Sequence, residues 1–488
     1  MNEERNNGKK KSTRVQIYWN TLIRLPPLLI NFIISILVTR ILAPKDYGIL
    51  GISMMLIAYA NLFTNFGLSE AIIQKEIYNK KILHSIFTFN LLFSLFLACV
   101  FYLTAGLIAE FFRSPECKMA IRVLSLFFII TSFPVIPNAI LRRDMNFKAV
   151  AYFETIQSLL MSLITLLLAW RGFGYWALIY GQLIPLAVVS IIFCVKAKYI
   201  PNIYYNHSFM KDIYNFGGWT YFRTQLLFLS QQMDKFIVGK WLGPVQLGFY
   251  DKALSLGATP YEIITAKITA VMFSSFSLNK GNIPKLKDSF MKAVALISFI
   301  NLPIYLGLIT VTPYFVYSIL GNKWAPMIVP FQIILFGLLF TSLGGLTASL
   351  NVGVGKYKSH TLRFLVALVI FLMSCLVLLR FRLIGIAVAF CIFNLSQIIL
   401  LLSLSKKEIG INWKDIIRSI RPAMVASLVM FAVIQIFAVF IFQKYNVLNM
   451  LILIMTGILC YTPFVIFSRN EIVLELIKSI KKDILKIG

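Results

Sequence analysis

A chain of 488 residues, 59% of them hydrophobic and only 14% charged, with a mean hydropathy of +0.81, is not a water-soluble globule, since soluble domains are roughly half apolar and about a quarter charged. The net charge of +28 is spread over short segments and forms no compact basic domain, which argues against a nucleic-acid partner and fits the positive-inside bias of membrane proteins. The six cysteines lack CxxC or Cys/His spacing and all but Cys117 fall in apolar runs, so they read as small packing residues rather than a disulfide scaffold or a metal site.

Taken in chain order, a polar tail at 1–14 leads into a first span too long for a signal peptide. Apolar runs bounded by charges, Gly/Pro clusters or Asn predict helices at 15–41, 47–66, 84–112, 118–141, 150–170 and 173–195, an N-lobe over 15–195. A linker at 196–212 precedes a C-lobe over 213–404, with helices at 213–240, 247–275, 289–312, 326–350, 360–380 and 383–404. Two more helices are predicted at 419–442 and 447–467. The polar stretches at 405–418 and 468–488 are expected to lie as amphipathic helices on an anionic membrane surface. The expected fold is therefore all-α: a polytopic membrane protein of about 14 transmembrane helices.

Lys and Arg favour the two tails and alternate loops by roughly three to one over the opposite loops, and the alternation stays in phase to the end of the chain. Both termini are thus expected in the cytoplasm. Trp19, Trp170, Trp176, Trp219, Trp241, Trp324 and Trp413 all fall near span ends or in loops, where an amphipathic ring prefers to sit.

Sliding the sequence against itself by 200 residues aligns Trp19 with Trp219, Arg40 with Lys240, Pro44 with Pro244 and Gly48 with Gly248. The first and seventh helices begin on the same side, so the chain reads as two parallel six-helix repeats with two helices appended. Two similar bundles with a substrate site between them are a common transporter plan.

Ionisable groups inside spans cost several kcal/mol unless they face a cavity or a partner. The basic ones are Arg24, Arg223, Lys235, Lys252 and Lys267; the acidic ones include Glu154, Asp234, Asp251 and Glu262. Arg223, Ser230 and Asp234 fall within about 40° on their helix, and Arg24, Asn31 and Ser35 repeat that spacing in the first, giving each half an arginine-headed polar stripe suited to a wet cleft. Arg24, Asn31, Arg223 and Lys267 are the candidate substrate-binding residues; Asp234 and Glu262 are candidates for ion coupling. Other readings stand beside these: Lys235, Asp251 and Lys252 as snorkelling groups, Arg24 and Arg223 as interfacial anchors, and Glu262 with Lys267 as a buried structural pair. His84, His207 and His360 sit at span ends or in loops, where surface roles are expected.

No GxxxxGK[ST] phosphate loop is present, and no outer loop concentrates carboxylates. Transport is therefore expected rather than catalysis, with no cofactor. The alternatives are an integral membrane glycosyltransferase or polymerase and a multidrug cation antiporter.

The runs LVTRILAPKDYG (37–48), GLSEAIIQK (67–75), LRRDMNFK (141–148), GFGYWAL (172–178), MDKFIVGKWLG (233–243) and GNKW (321–324) together resemble the Wzx-type polysaccharide flippases of the multidrug/oligosaccharidyl-lipid/polysaccharide exporter superfamily. The likeness covers 15 to about 360 in order and fades over the last helices; Glu70 stands where small residues are more usual. The resemblance implies a two-lobed bundle in a bacterial cytoplasmic membrane. It implies a lipid-linked oligosaccharide diphosphate as substrate, an ion gradient of protons or sodium as the drive, and contact with polysaccharide-assembly proteins. It also implies a basic cavity for the diphosphate, for which Arg24 and Arg223 are the matching positions. Guanidinium groups suit such a cargo, because a diphosphate carries roughly two negative charges that they pair bidentately.

Overall fold

A computed structural model describes residues 26–65, 79–206 and 232–467; Arg24 and Arg223, most of the seventh predicted helix and the tail at 468–488 lie outside these, and side chains are described to 60 and 464 at two of the edges. Among the described residues every regular element is helical. In order these are α1 (Pro26–Ile41), α2 (Pro44–Asn65), α3 (Lys80–Phe111), α4 (Glu116–Leu124), α5 (Leu126–Arg143), α6 (Phe147–Trp170) and α7 (Tyr175–Lys196). After a π-helical turn at Val238–Leu242 come α8 (Gly243–Pro260), a second π-turn (Tyr261–Thr265) and α9 (Ala266–Leu278). The remainder are α10 (Ile283–Phe315), α11 (Ile328–Gly353), α12 (Tyr357–Leu378), α13 (Arg382–Ile409), α14 (Trp413–Ile436) and α15 (Val447–Phe467).

Nine of the described helical segments are long and apolar enough to cross a membrane, and α1 with α2 forms a further pair bent by 117°. From Lys80 on, leaving aside the span predicted at 213–240, which falls mostly outside the described residues, each predicted span overlaps an observed helix with ends differing by up to about six residues, because in hydrocarbon every backbone polar group must be satisfied within its own helix. Several starts are set by side-chain caps. Asn79, Asn146 and Asn282 accept from backbone N–H groups in the first turns of α3, α6 and α10, and Asp46 Oδ2 accepts from Ala43 N at 2.8 Å, with Pro44 at the first helical position of α2.

The segment at 405–418 corrects the expectation of a separate surface helix. α13 runs through Lys406 and Lys407 to Ile409; Gly410 then takes a left-handed φ of 65° and α14 begins at Trp413, with Asp415 Oδ2 accepting from Asn412 N. A left-handed glycine and a fresh N-cap a few residues later end one helix and start the next without room for a third.

The chain divides into two compact units, Met1–Gly248 and Phe249–Gly488. In unit 1, α6 and α7 pack as a hairpin in which the Thr165 hydroxyl occupies the space a side chain on Gly181 would need. Small residues allow this close approach, which matters where apolar burial gives no advantage over lipid. The motif repeated at a 200-residue offset meets itself in the same unit. A methyl group on Gly48 would collide with the Pro244 carbonyl, and one on Gly248 would collide with the Pro44 carbonyl. Residue i against j and j against i is the signature of local twofold symmetry. Beside this crossing Lys240 donates to the Phe111 carbonyl at 2.7 Å, with its ammonium 3.5 Å from the centre of the Phe111 ring.

In unit 2, Phe276, Phe290, Leu346, Leu350, Ile398 and Leu402 form a core joining α9, α10, α11 and α13. Polar staples cross it. Asn351 donates to the Leu401 carbonyl at 3.1 Å and accepts from Ser405, and Thr341 donates to Asn394 Oδ1 at 2.7 Å. Each staple satisfies groups that would otherwise stand unpaired in hydrocarbon.

Candidate transport site

The rod formed by α8, the second π-turn and α9 falls short of the apolarity of the nine spanning segments, because Asp251, Lys252, Glu262 and Lys267 lie along it. Its middle is irregular for a reason that lies in the backbone hydrogen bonding. Ala266 N–H bonds back to the Tyr261 carbonyl, five residues earlier, so one extra residue is wound into the turn. A regular helix would set Glu262 and Lys267 about 140° apart; the extra residue rotates the downstream helix by roughly 100° and leaves them about 40° apart on one face. Both are exposed, as is Ser255 about two turns before Glu262. They are therefore not the buried structural pair that sequence spacing allowed, and no ion pair joins them among the described residues.

The turn is anchored from the opposite side. Thr265 is buried, and the Asn301 side-chain amide of α10 donates to its hydroxyl at 2.7 Å. Two residues further along, α10 becomes one wall of an apolar groove of about 390 Å³, closed by Met430 and Ile434 of α14 and by Leu453, Gly457 and Ile458 of α15. Tyr461 and Thr462 are its polar lining, yet Tyr461 donates to the Phe299 carbonyl and Thr462 to the Ile458 carbonyl, so both hydroxyl donors are used and the rest of the lining suits hydrocarbon. Sequence reasoning misses this groove. Its trace in the sequence is the set of small or ring-constrained residues Pro303, Gly307 and Gly457, which leave space on facing helices.

The other sequence candidates are engaged elsewhere. Asn31 spends both ends of its amide on α6, donating to Ser158 at 3.2 Å and accepting from Ser162 at 2.8 Å within unit 1. Asp234 is buried at 9% exposure, and its Oδ1 accepts from Lys235 N at 2.8 Å. Glu154 pairs with Arg142 at 3.0 Å. Lys252 is buried in unit 2.

A family model described as "Polysaccharide biosynthesis protein" matches residues 37–329. The chain belongs to that polysaccharide biosynthesis family. The matched stretch includes Asp234, Glu262, Lys267 and the Asn301–Thr265 anchor, and ends before α14 and α15. Among curated relatives, the chain is 24% identical over 338 residues to the lipopolysaccharide biosynthesis protein WzxC of Escherichia coli (strain K12), covering 68% of each chain. It is 22% identical over 339 residues to the succinoglycan biosynthesis transport protein ExoT of Rhizobium meliloti (strain 1021), covering 69% of this chain and 67% of that one. Among solved structures, the lipid II flippase MurJ in an inward closed conformation superposes with a TM-score of 0.77 at 17% identity, over 93% of this chain and all of that one. A multidrug-resistance MATE transporter in an inward-facing conformation gives 0.59 at 18% identity, over 80% of this chain and 98% of that one. The chain shares the fold of these two transporters and is a multi-pass membrane protein.

Proposed function

We propose that this chain is a flippase: it moves a lipid-linked oligosaccharide diphosphate from the inner to the outer leaflet for surface-polysaccharide assembly, by alternating access. The observation that carries the reading is the pairing, through α10, of an exposed charged face with an apolar groove in one unit. A cargo that is anionic at one end and hydrocarbon at the other needs both. Lys267 is a cation for the diphosphate, with Glu262 one turn away to modulate it or to take up a proton. Arg24 and Arg223, outside the described residues, are proposed to complete the diphosphate site. The groove is proposed to hold part of the isoprenoid chain.

Relatives named for transport and for polysaccharide biosynthesis support this assignment, and so does the family match. The drive is proposed to be a proton or sodium gradient acting through Asp234 and Glu262, with both termini cytoplasmic. In a strain lacking this gene and any redundant flippase, lipid-linked repeat units are expected to accumulate on the inner leaflet while surface polysaccharide disappears. Undiminished surface polysaccharide would overturn the reading.

A further inference from the structure

At the end of the α6–α7 hairpin opposite its Arg171–Gly174 turn lies a cleft of about 770 Å³ that the transport reading does not use. One wall is apolar: Ile191 and Val195 are 66% and 73% exposed, and Tyr152 stands beside them. The rim carries Lys148, Lys196 and Lys198, all exposed.

The carboxylates nearby are already engaged. Glu154 pairs with Arg142, and Asp144 pairs with Arg143. The three lysines have no ion-pair partner among the described residues, so the cleft keeps a concentrated positive charge. Both helices are long and apolar enough to span, which puts their shared end, with an exposed tyrosine, at headgroup depth.

Lys198 is placed with some strain. It lies just past the end of α7 at a φ of 49°, where glycine is the ordinary choice, while Tyr199 N bonds back to the Cys194 carbonyl and buries its ring. A lysine held where glycine would relax the backbone directs attention to its side chain.

We infer that this cleft is a binding site for an anionic phospholipid of the surrounding membrane, with the headgroup phosphate among Lys148, Lys196 and Lys198 and an acyl chain along Ile191 and Val195. Charge selects the headgroup, and the apolar wall selects a lipid over a free anion. The site is in unit 1, whereas Glu262, Lys267 and the apolar groove are in unit 2.

Native mass spectrometry of the purified full chain tests this, with phosphatidylglycerol and phosphatidylcholine as probes. Each juxtamembrane lysine is worth about fivefold in affinity, so replacing all three (Lys148→Gln, Lys196→Gln, Lys198→Gln) is expected to weaken phosphatidylglycerol binding by about a hundredfold and leave phosphatidylcholine unchanged. Lys198→Gly is the control for folding. It is expected to raise or preserve the unfolding temperature while weakening phosphatidylglycerol about fivefold. Equal binding of the two lipids by the wild type, or undiminished phosphatidylglycerol binding by the triple variant, would overturn the site. Displacement by millimolar inorganic phosphate would assign it to a soluble anion, and displacement by an isoprenoid diphosphate at equal concentration would assign it to the cargo. Either result also rejects the proposal, whereas resistance to both supports it.

Discussion

The Asn301 amide holds the Thr265 hydroxyl at 2.7 Å across the α9–α10 interface, at the last residue of the π-turn that brings Glu262 and Lys267 to one face. Asn301→Leu removes the donor at similar volume. It is expected to destabilise the protein by about 1 kcal/mol, in line with interhelical hydrogen bonds in membranes, and to reduce transport by more than that loss explains. Thermal unfolding and flipping, measured on the same purified variant in vesicles, check this.

Lys267→Ala is expected to lower transport by roughly tenfold or more, the value of a charge-assisted hydrogen bond, with normal expression. Lys267→Arg should retain much of the activity, because an anionic cargo needs the charge more than the ammonium shape. Equal activity of the Ala variant would remove Lys267 from the site.

Filling the groove should separate the two ends of the cargo. The nearest atom to a Cβ placed at Gly307 is Met430 Cε at 3.9 Å, so the first carbon of a Gly307→Leu side chain meets no backbone and the rest extends toward the groove and the flexible Met430 side chain. The variant is expected to fold normally and to transport a substrate with a short isoprenoid chain better than one with the native length. Competition between the two substrates in one vesicle preparation gives the ratio.

The glycine crossing gives a prediction about folding alone. Gly48→Ala and Gly248→Ala each drive a methyl into a backbone carbonyl, and each is expected to abolish monodisperse protein in size-exclusion chromatography, since overpacking by displaced backbone costs about 3 kcal/mol or more. Gly106→Ala is the contrast. It lies within α3 with Lys118 Cε at 3.9 Å, and is expected to be neutral or to stabilise by up to ~1 kcal/mol through helix propensity.

Asp234→Asn tests the proposed drive. If buried Asp234 takes part in coupling, the variant should flip cargo at a rate indifferent to an imposed proton or sodium gradient. A retained response to the gradient would exclude that role.

The spans were legible because hydrocarbon imposes a length and a composition, and among the described residues from Lys80 to Lys196 and from Gly243 to Phe467 the apolar runs read almost directly as helices. The twofold repeat was legible because proline and glycine at one offset are rarely coincidental. The relation of Glu262 to Lys267 was not. A 100° step assumes an unbroken helix, and nothing in YEIIT announces the extra residue that Tyr261 and Ala266 close around. Asn31 looked like part of a polar stripe with Arg24, and only the folded chain reveals that Ser158 and Ser162 consume its amide. The groove escaped because an apolar hollow and an apolar filled interface use the same residue types. The break at Gly410 was misread for a simpler reason: basic residues ending one helix and starting another look, in sequence, like one amphipathic segment.

Because the two copies of the repeated motif touch, Pro44 over Gly248 and Pro244 over Gly48, neither glycine can be exchanged for a larger residue on its own. Any residue larger than glycine in one half would have to be met by a shift of main chain contributed by the other. The repeat is thus, at this point, a mutual constraint between its own copies.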